Sequence, residues 1–125
     1  MDAQEDKPMA SLLMSAEMRV RTLIALTEEL TAIFAEENAS LAAGRPEELI
    51  LYQDDKSRLA AAYQDSIRRI AADRAVLDDA GDPLLEELRT ITCAFEQRAA
   101  EQHALLDRLQ AQSANAVATA YFSGV

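Results

Sequence analysis

The chain has 125 residues and a formal net charge of -10, and 50% of its residues are hydrophobic but only 5% are aromatic. This length fits one domain, because fewer than about 150 residues rarely build two independent cores. The negative charge provides no basic surface for a phosphate backbone, which argues against nucleic-acid binding and against attraction to an anionic membrane.

The sequence shows no signal for membrane insertion or secretion. No apolar run reaches the roughly 18 residues of a membrane span, and residues 1–7 are acidic where a secretory signal is basic. Cys93 is the single cysteine and lies in an apolar stretch, which predicts a small core residue. A cytoplasmic protein with a reduced thiol is therefore expected.

The abundance of Ala, Leu, Glu, Gln and Arg favours helices. Residues 1–8 are predicted to be a mobile acidic tail, and a first helix is predicted over 9–43. Gly44 suits the left-handed position after a helix end, and Pro46 suits the first turn of the next helix. The second helix is accordingly predicted over 46–80.

The same punctuation recurs at residues 81–83, with Asp82 as the predicted N-cap. A third helix is predicted over 83–118, followed by a flexible end at 119–125. Each helix would be about 50 Å long at a rise of about 1.5 Å per residue. The predicted fold class is all-α, an elongated antiparallel three-helix bundle or coiled coil of long helices, in one domain over 9–118.

Apolar residues recur at the alternating three and four spacing of a coiled-coil seam in the first two helices. Folding them back at Gly44 places Leu23 opposite Ile70. The same alignment pairs two polar seam positions, Glu37 with Lys56, and likewise sets Thr27 opposite Ser66. A charged seam residue is costly unless it is paired, so Glu37 and Lys56 are predicted to form an ion pair that fixes the hairpin register.

The third predicted helix differs from the other two because its second half loses its charges. Arg108 is the last charged residue, and residues 109–125 are small, polar or apolar. Such a segment packs weakly on its own and offers a face to a partner helix. The alternative is a frayed C-terminal helix with ordinary alanine content.

Residues suited to catalysis are sparse. One histidine and one cysteine do not supply the converging ligands of a metal site or an activated thiolate, so no metal, no cofactor and no enzymatic activity are expected. His103 is the candidate for an alternative function, a histidine phosphotransfer bundle. Asp107 follows one turn later and would repel a phosphate on His103, which disfavours that alternative.

The stretch from residue 36 to residue 63 resembles the FlgN family of flagellar export chaperones. That family typically has a long first helix ending in an acidic residue, a leucine and a glycine turn, then a lysine followed by a leucine. The positions that match this pattern are Glu37, Leu41, Gly44, Lys56 and Leu59.

The resemblance implies a cytoplasmic chaperone that binds the helical ends of hook-filament junction proteins and prevents their premature assembly. An amphipathic C-terminal helix would then pair with a helix of the cargo. The predicted contact residues are Leu105, Leu106, Leu109, Val117, Tyr121 and Phe122. The alternative is a non-enzymatic scaffold, a coiled coil that forms a homodimer through its third helix.

Overall fold

The computed structural model describes the backbone of residues 2–123 and the side chains of residues 16–121. Over these residues the chain is all-α, which confirms the predicted fold class. The elements in chain order are helix α1 (Asp2–Ala42), a 3-10 helix (Pro46–Tyr52), and helices α2 (Gln53–Ala72), α3 (Ala75–Ala80) and α4 (Asp82–Ser123). None of the described helices is long and apolar enough to cross a membrane.

The chain runs along the bundle three times. Helix α1 runs in one direction, the 3-10 helix, α2 and α3 return along it, and α4 runs parallel to α1. The parallel direction follows from two contacts, since Val20 lies in one core cluster with Leu84 while Glu37 bonds to Gln102. Both α2 and α4 pack mainly on α1, so α1 is the central helix of the molecule.

The core follows the predicted seam of the first helix closely. Its buried apolar residues come mainly from α1, with contributions from α2, α3 and the start of α4: Ala16, Val20, Leu23, Ile24, Leu30, Leu41, Leu59, Ile70, Val76 and Leu84. Thr27 is also buried, but its hydroxyl donates to the carbonyl of Leu23 at 2.6 Å rather than to Ser66. A threonine in a helix satisfies itself this way, so the seam needs no cross-helix partner there.

The turn at Gly44 has the geometry that its sequence predicts. Gly44 has a φ of 76°, its N–H donates to Leu41, and the N–H of Arg45 donates to Ser40. These two hydrogen bonds form a Schellman motif, in which the residue after the helix adopts the left-handed conformation that glycine tolerates best. Helix α1 therefore ends where the sequence requires it to end.

The middle helix predicted over 46–80 is not continuous. It starts as a 3-10 helix, and it breaks again at Asp73, which has φ and ψ of -135° and 89°. In a straight helix Asp73, three residues after the buried Ile70, would face the core, and burying an unpaired carboxylate is costly. The break leaves Asp73 exposed and brings Val76 into the core at 3% exposure.

Four further expectations differ from the structure, three at the ends of elements and one at Cys93. Helix α1 starts at Asp2 rather than at residue 9, consistent with the preference of acidic residues for helix N-termini. Helix α4 continues past residue 118 to Ser123, through an alanine-rich stretch of high helix propensity. Gly81 rather than Asp82 provides the first helical carbonyl of α4, which accepts from Leu85. Cys93 is exposed and not a core residue, because α4 buries only one face.

Candidate partner-binding surface and buried polar junction

Four polar side chains from three helices meet in the interior. Glu37 and Asn38 lie on α1, Lys56 lies on α2, and Gln102 lies on α4. Glu37 is 1% exposed, Asn38 2% and Gln102 6%, so three of the four are almost wholly removed from water. We call these four residues the polar junction.

The ion pair predicted from the sequence is present. Lys56 Nζ lies 2.9 Å from Glu37 Oε1, and the Lys56 side chain retains 26% exposure. The ammonium also lies 4.4 Å from the centre of the Phe34 ring, a cation-π distance. Lys56 thus reaches the buried carboxylate from the solvent side of α2 while its stem packs against apolar surface.

Gln102 joins α4 to the ion pair. Its Nε2 donates to Glu37 Oε1 at 3.0 Å and to Asn38 Oδ1 at 3.3 Å, and its Oε1 accepts from Lys56 at 3.2 Å. Asn38 Nδ2 in turn donates to the backbone carbonyl of Arg98 at 3.0 Å. The seam pattern of the first two helices does not predict the contacts of Asn38 and Gln102, because they join residues about sixty positions apart.

Aromatic rings cover the junction on the side toward α3. Phe95 of α4 packs edge-on against Phe34 with ring centres 5.4 Å apart, and it lies 5.6 Å from Tyr63 of α2. Such ring pairs add a directional contact to their burial. Among the described side chains, no buried polar atom lacks a hydrogen-bond partner. The polar junction is therefore internally satisfied, and its arrangement is that of a structural connection between three helices.

The C-terminal part of α4 extends beyond the hairpin. Gln102 is level with Glu37, and α1 ends at Ala42, so α4 passes the end of α1 near Asp107. Residues 110–121 are all exposed. We call residues 108–121 the overhang.

The residues predicted to contact a partner are divided between the bundle and the overhang. Leu105 and Leu109 are half-buried at the point where α4 leaves the hairpin, and Leu106 is 40% exposed. Val117 and Tyr121 are 69% and 71% exposed on the overhang. The sixth predicted residue, Phe122, belongs to the α4 backbone, but its side chain lies outside the described residues.

The structure adds two exposed apolar residues that the sequence analysis did not single out. Ile50 and Leu51 of the 3-10 helix are 76% and 73% exposed. A 3-10 helix has three residues per turn, so Leu49 and Tyr52 share the face that is half-buried, while the two residues between them face solvent. The signal was present in the sequence, because a helix that buries one face cannot bury all four apolar residues of the run 49–52.

His103 lies on the solvent-facing side of α4. Its side chain is 82% exposed, and Nε2 lies 3.3 Å from Asp107 Oδ2. The acidic neighbour that the sequence places one turn later is therefore in contact with the imidazole. Among the described residues, no group of three or more His, Cys, Asp or Glu side chains is arranged to hold a metal ion.

The chain is a distant relative of one flagellar protein. It is 32% identical over 94 residues to a protein named flagellar basal-body protein FlbY from Caulobacter vibrioides. The match covers 75% of this chain and 63% of the relative, so the chain spans less than two thirds of that protein's length. No family model and no solved structure matches the chain.

Proposed function

We propose that this chain is a non-enzymatic flagellar export chaperone that binds hook-filament junction proteins in the cytoplasm through helix-helix contacts. Bound cargo would be prevented from assembling before export. The observation that carries the proposal is the overhang, a helical segment with no charged residue after Arg108 whose apolar side chains Val117 and Tyr121 are exposed. An exposed apolar face on a helix is typical of surfaces that accept a partner helix.

The distant relationship to a flagellar protein supports the flagellar part of the proposal. The resemblance of residues 36–63 to export chaperones supports the chaperone part. The polar junction is compatible with both, because it provides a fixed bundle from which α4 projects. A partner that binds stoichiometrically needs no catalytic group.

The proposal is tested with the purified chain and the hook-filament junction proteins encoded in the same genome. Size-exclusion chromatography with light scattering should show a mass shift when a junction protein is added. Val117→Glu places a charge on the apolar face of the overhang and should abolish that shift. Asn115→Glu adds the same charge on the opposite side of the same helix and should leave the shift intact.

The scaffold alternative gives a different result in the same instrument. A homo-oligomeric coiled coil would increase in mass with its own concentration, without cargo, and would not respond to a junction protein. The phosphotransfer alternative requires His103 to accept phosphate. A His103→Ala variant that binds cargo like the parent chain would dispose of it.

A further inference from the structure

We propose that the notch between the overhang and the 3-10 helix binds the end of an amphipathic partner helix whose apolar face is bordered by lysine or arginine at that end. The inference deepens the proposed function and rests on it for the natural partner. It specifies the charge that the partner helix carries at its end and the surface of this chain that recognises that charge.

The notch is the space between α4, at the point where it leaves the bundle, and the 3-10 helix, which packs on α1. Lys56 Nζ lies 3.2 Å from Gln102 Oε1, so the start of α2 is beside α4 at this level. By helical spacing, the next residues outward from this contact along the two chain segments are Tyr52 and Leu106. The hairpin ends here, while α4 continues for about four more turns.

The apolar face of the overhang looks over the hairpin end, not away from it. Gln102 points into the bundle toward Glu37. Leu106, Leu109 and Val117 follow Gln102 at helical spacing and lie within about 80° of its direction around α4. Below this level α1 and α2 cover that face. Beyond Leu109 none of the described elements covers it, and Val117 is accordingly 69% exposed.

The 3-10 helix contributes a second exposed apolar surface at this end of the molecule. Ile50 and Leu51 are the two most exposed large hydrophobic side chains among the described residues. They lie at the same end of the molecule as the overhang. A partner helix that packs along the overhang as a continuation of α1 would end against the 3-10 helix. It would then bury apolar surface on the overhang and on Ile50 and Leu51.

Charge decides which kind of helix fits. The 3-10 helix region has four acidic residues, of which Glu48 is paired with Arg45 at 2.6 Å and Asp55 with Arg58 at 3.5 Å. Among the described residues, Glu47 and Asp54 have no ion-pair partner. They border the apolar pair on both sides in the sequence, so a partner with basic residues at this end is electrostatically complementary.

A second copy of this chain fits the notch less well. Its overhang has no charged residue after Arg108, so it offers no cation that would reach deep into the notch of its partner. Its remaining body has a strong negative charge, which opposes close approach to the acidic 3-10 helix region. A basic-ended helix from another protein is therefore the occupant we assign.

The test uses two synthetic amphipathic peptides with the same apolar face, one bordered at one end by two lysines and the other by two glutamates. Fluorescence anisotropy with the full chain measures both affinities at low and high salt. We expect the lysine peptide to bind about ten-fold more tightly at low salt, and the preference to shrink as salt screens the charges.

Variants locate the interaction. Glu47→Lys with Asp54→Lys should reverse the preference between the two peptides. Glu28→Lys with Glu29→Lys changes the net charge equally on exposed positions of α1 and should leave the lysine peptide preferred. Val117→Glu and Leu51→Ser should weaken both peptides, because each removes part of the apolar surface.

Three outcomes would overturn the inference: equal affinities for the two peptides, equal effects of the two lysine double variants, or a homodimer that neither peptide displaces. The peptides are not flagellar proteins, so this result is independent of whether a junction protein binds. Binding of a junction protein that ignores the 47/54 variant would leave the chaperone proposal standing and refute the notch.

Discussion

At the scale of single residues, Glu37 sets the constraint that the rest of the junction satisfies. Its carboxylate is 1% exposed, and a buried charge without partners costs several kcal/mol. Lys56 supplies the opposite charge, and Gln102 supplies an N–H while accepting from the same ammonium. Because each partner comes from a different helix, the three helices can meet here in only one register.

Removing Lys56 should destabilise the fold strongly. Lys56→Ala leaves Glu37 buried with hydrogen bonds from Gln102 alone, and we expect a loss of roughly 2–3 kcal/mol in the free energy of unfolding. Arg58→Ala is the matched control, because Arg58 is exposed on the same helix and pairs with Asp55 at 3.5 Å. Its loss should stay within about 0.5 kcal/mol.

Urea unfolding followed by circular dichroism measures both variants. If Lys56→Ala costs no more than Arg58→Ala, the junction contributes nothing beyond an ordinary surface ion pair. A Glu37→Leu, Lys56→Leu double variant separates charge from packing. It should recover much of the loss, because it removes the uncompensated charge.

At the scale of elements, the turn between α1 and the 3-10 helix depends on one backbone conformation. Gly44 has a φ of +76°, and a Cβ built there would meet nothing within 4 Å. Gly44→Ala should therefore cost about 1–2 kcal/mol through backbone strain alone. Gly44→Asn should cost less, because asparagine tolerates the left-handed region better. Thermal unfolding of the two variants makes the comparison, and equal stabilities would refute the strain argument.

The overhang should behave as a weakly stable element. Its residues 110–121 form about three helical turns whose side chains are all exposed, and isolated helices of that length are marginal in water. Backbone amides in residues 110–121 should exchange with deuterium far faster than those in residues 85–105. Addition of a bound partner should slow exchange in the overhang. Equal protection of both segments in the chain alone would contradict this expectation.

The elements differ in how far the sequence predicts them. The hairpin of α1 and α2 was predictable, because the seam period and the glycine at position 44 fix both the buried faces and the register. The contacts of Asn38 and Gln102 were not, since no short turn sets the alignment of α1 with α4. The break at Asp73 was also missed, because a seam pattern alone does not say whether a polar residue will be buried, paired or bent away.

At the scale of the whole molecule, charge and packing divide the chain at the same place. All charged residues lie at or before Arg108, and the helices pack on one another up to about the same level. In the described helical bundle the buried polar groups are hydrogen-bonded and the surface is strongly negative. This charge makes copies of the chain repel one another. Beyond Leu109, the described part of the overhang has no charged residue, and all of its side chains are exposed. This division of the chain is consistent with the proposed binding of a partner by the overhang.

This division predicts that the overhang is dispensable for folding and required for binding. A chain ending at Arg108 should unfold with a free energy within about 0.5 kcal/mol of the full chain, because the removed side chains make few buried contacts. A chain ending at Ala99 is the control, since it also removes Gln102 and the half-buried Leu105, and it should lose more than about 2 kcal/mol. Urea unfolding gives both values, and light scattering with a junction protein tests binding. A chain ending at Arg108 that unfolds like the Ala99 truncation would mean that the overhang belongs to the folded core.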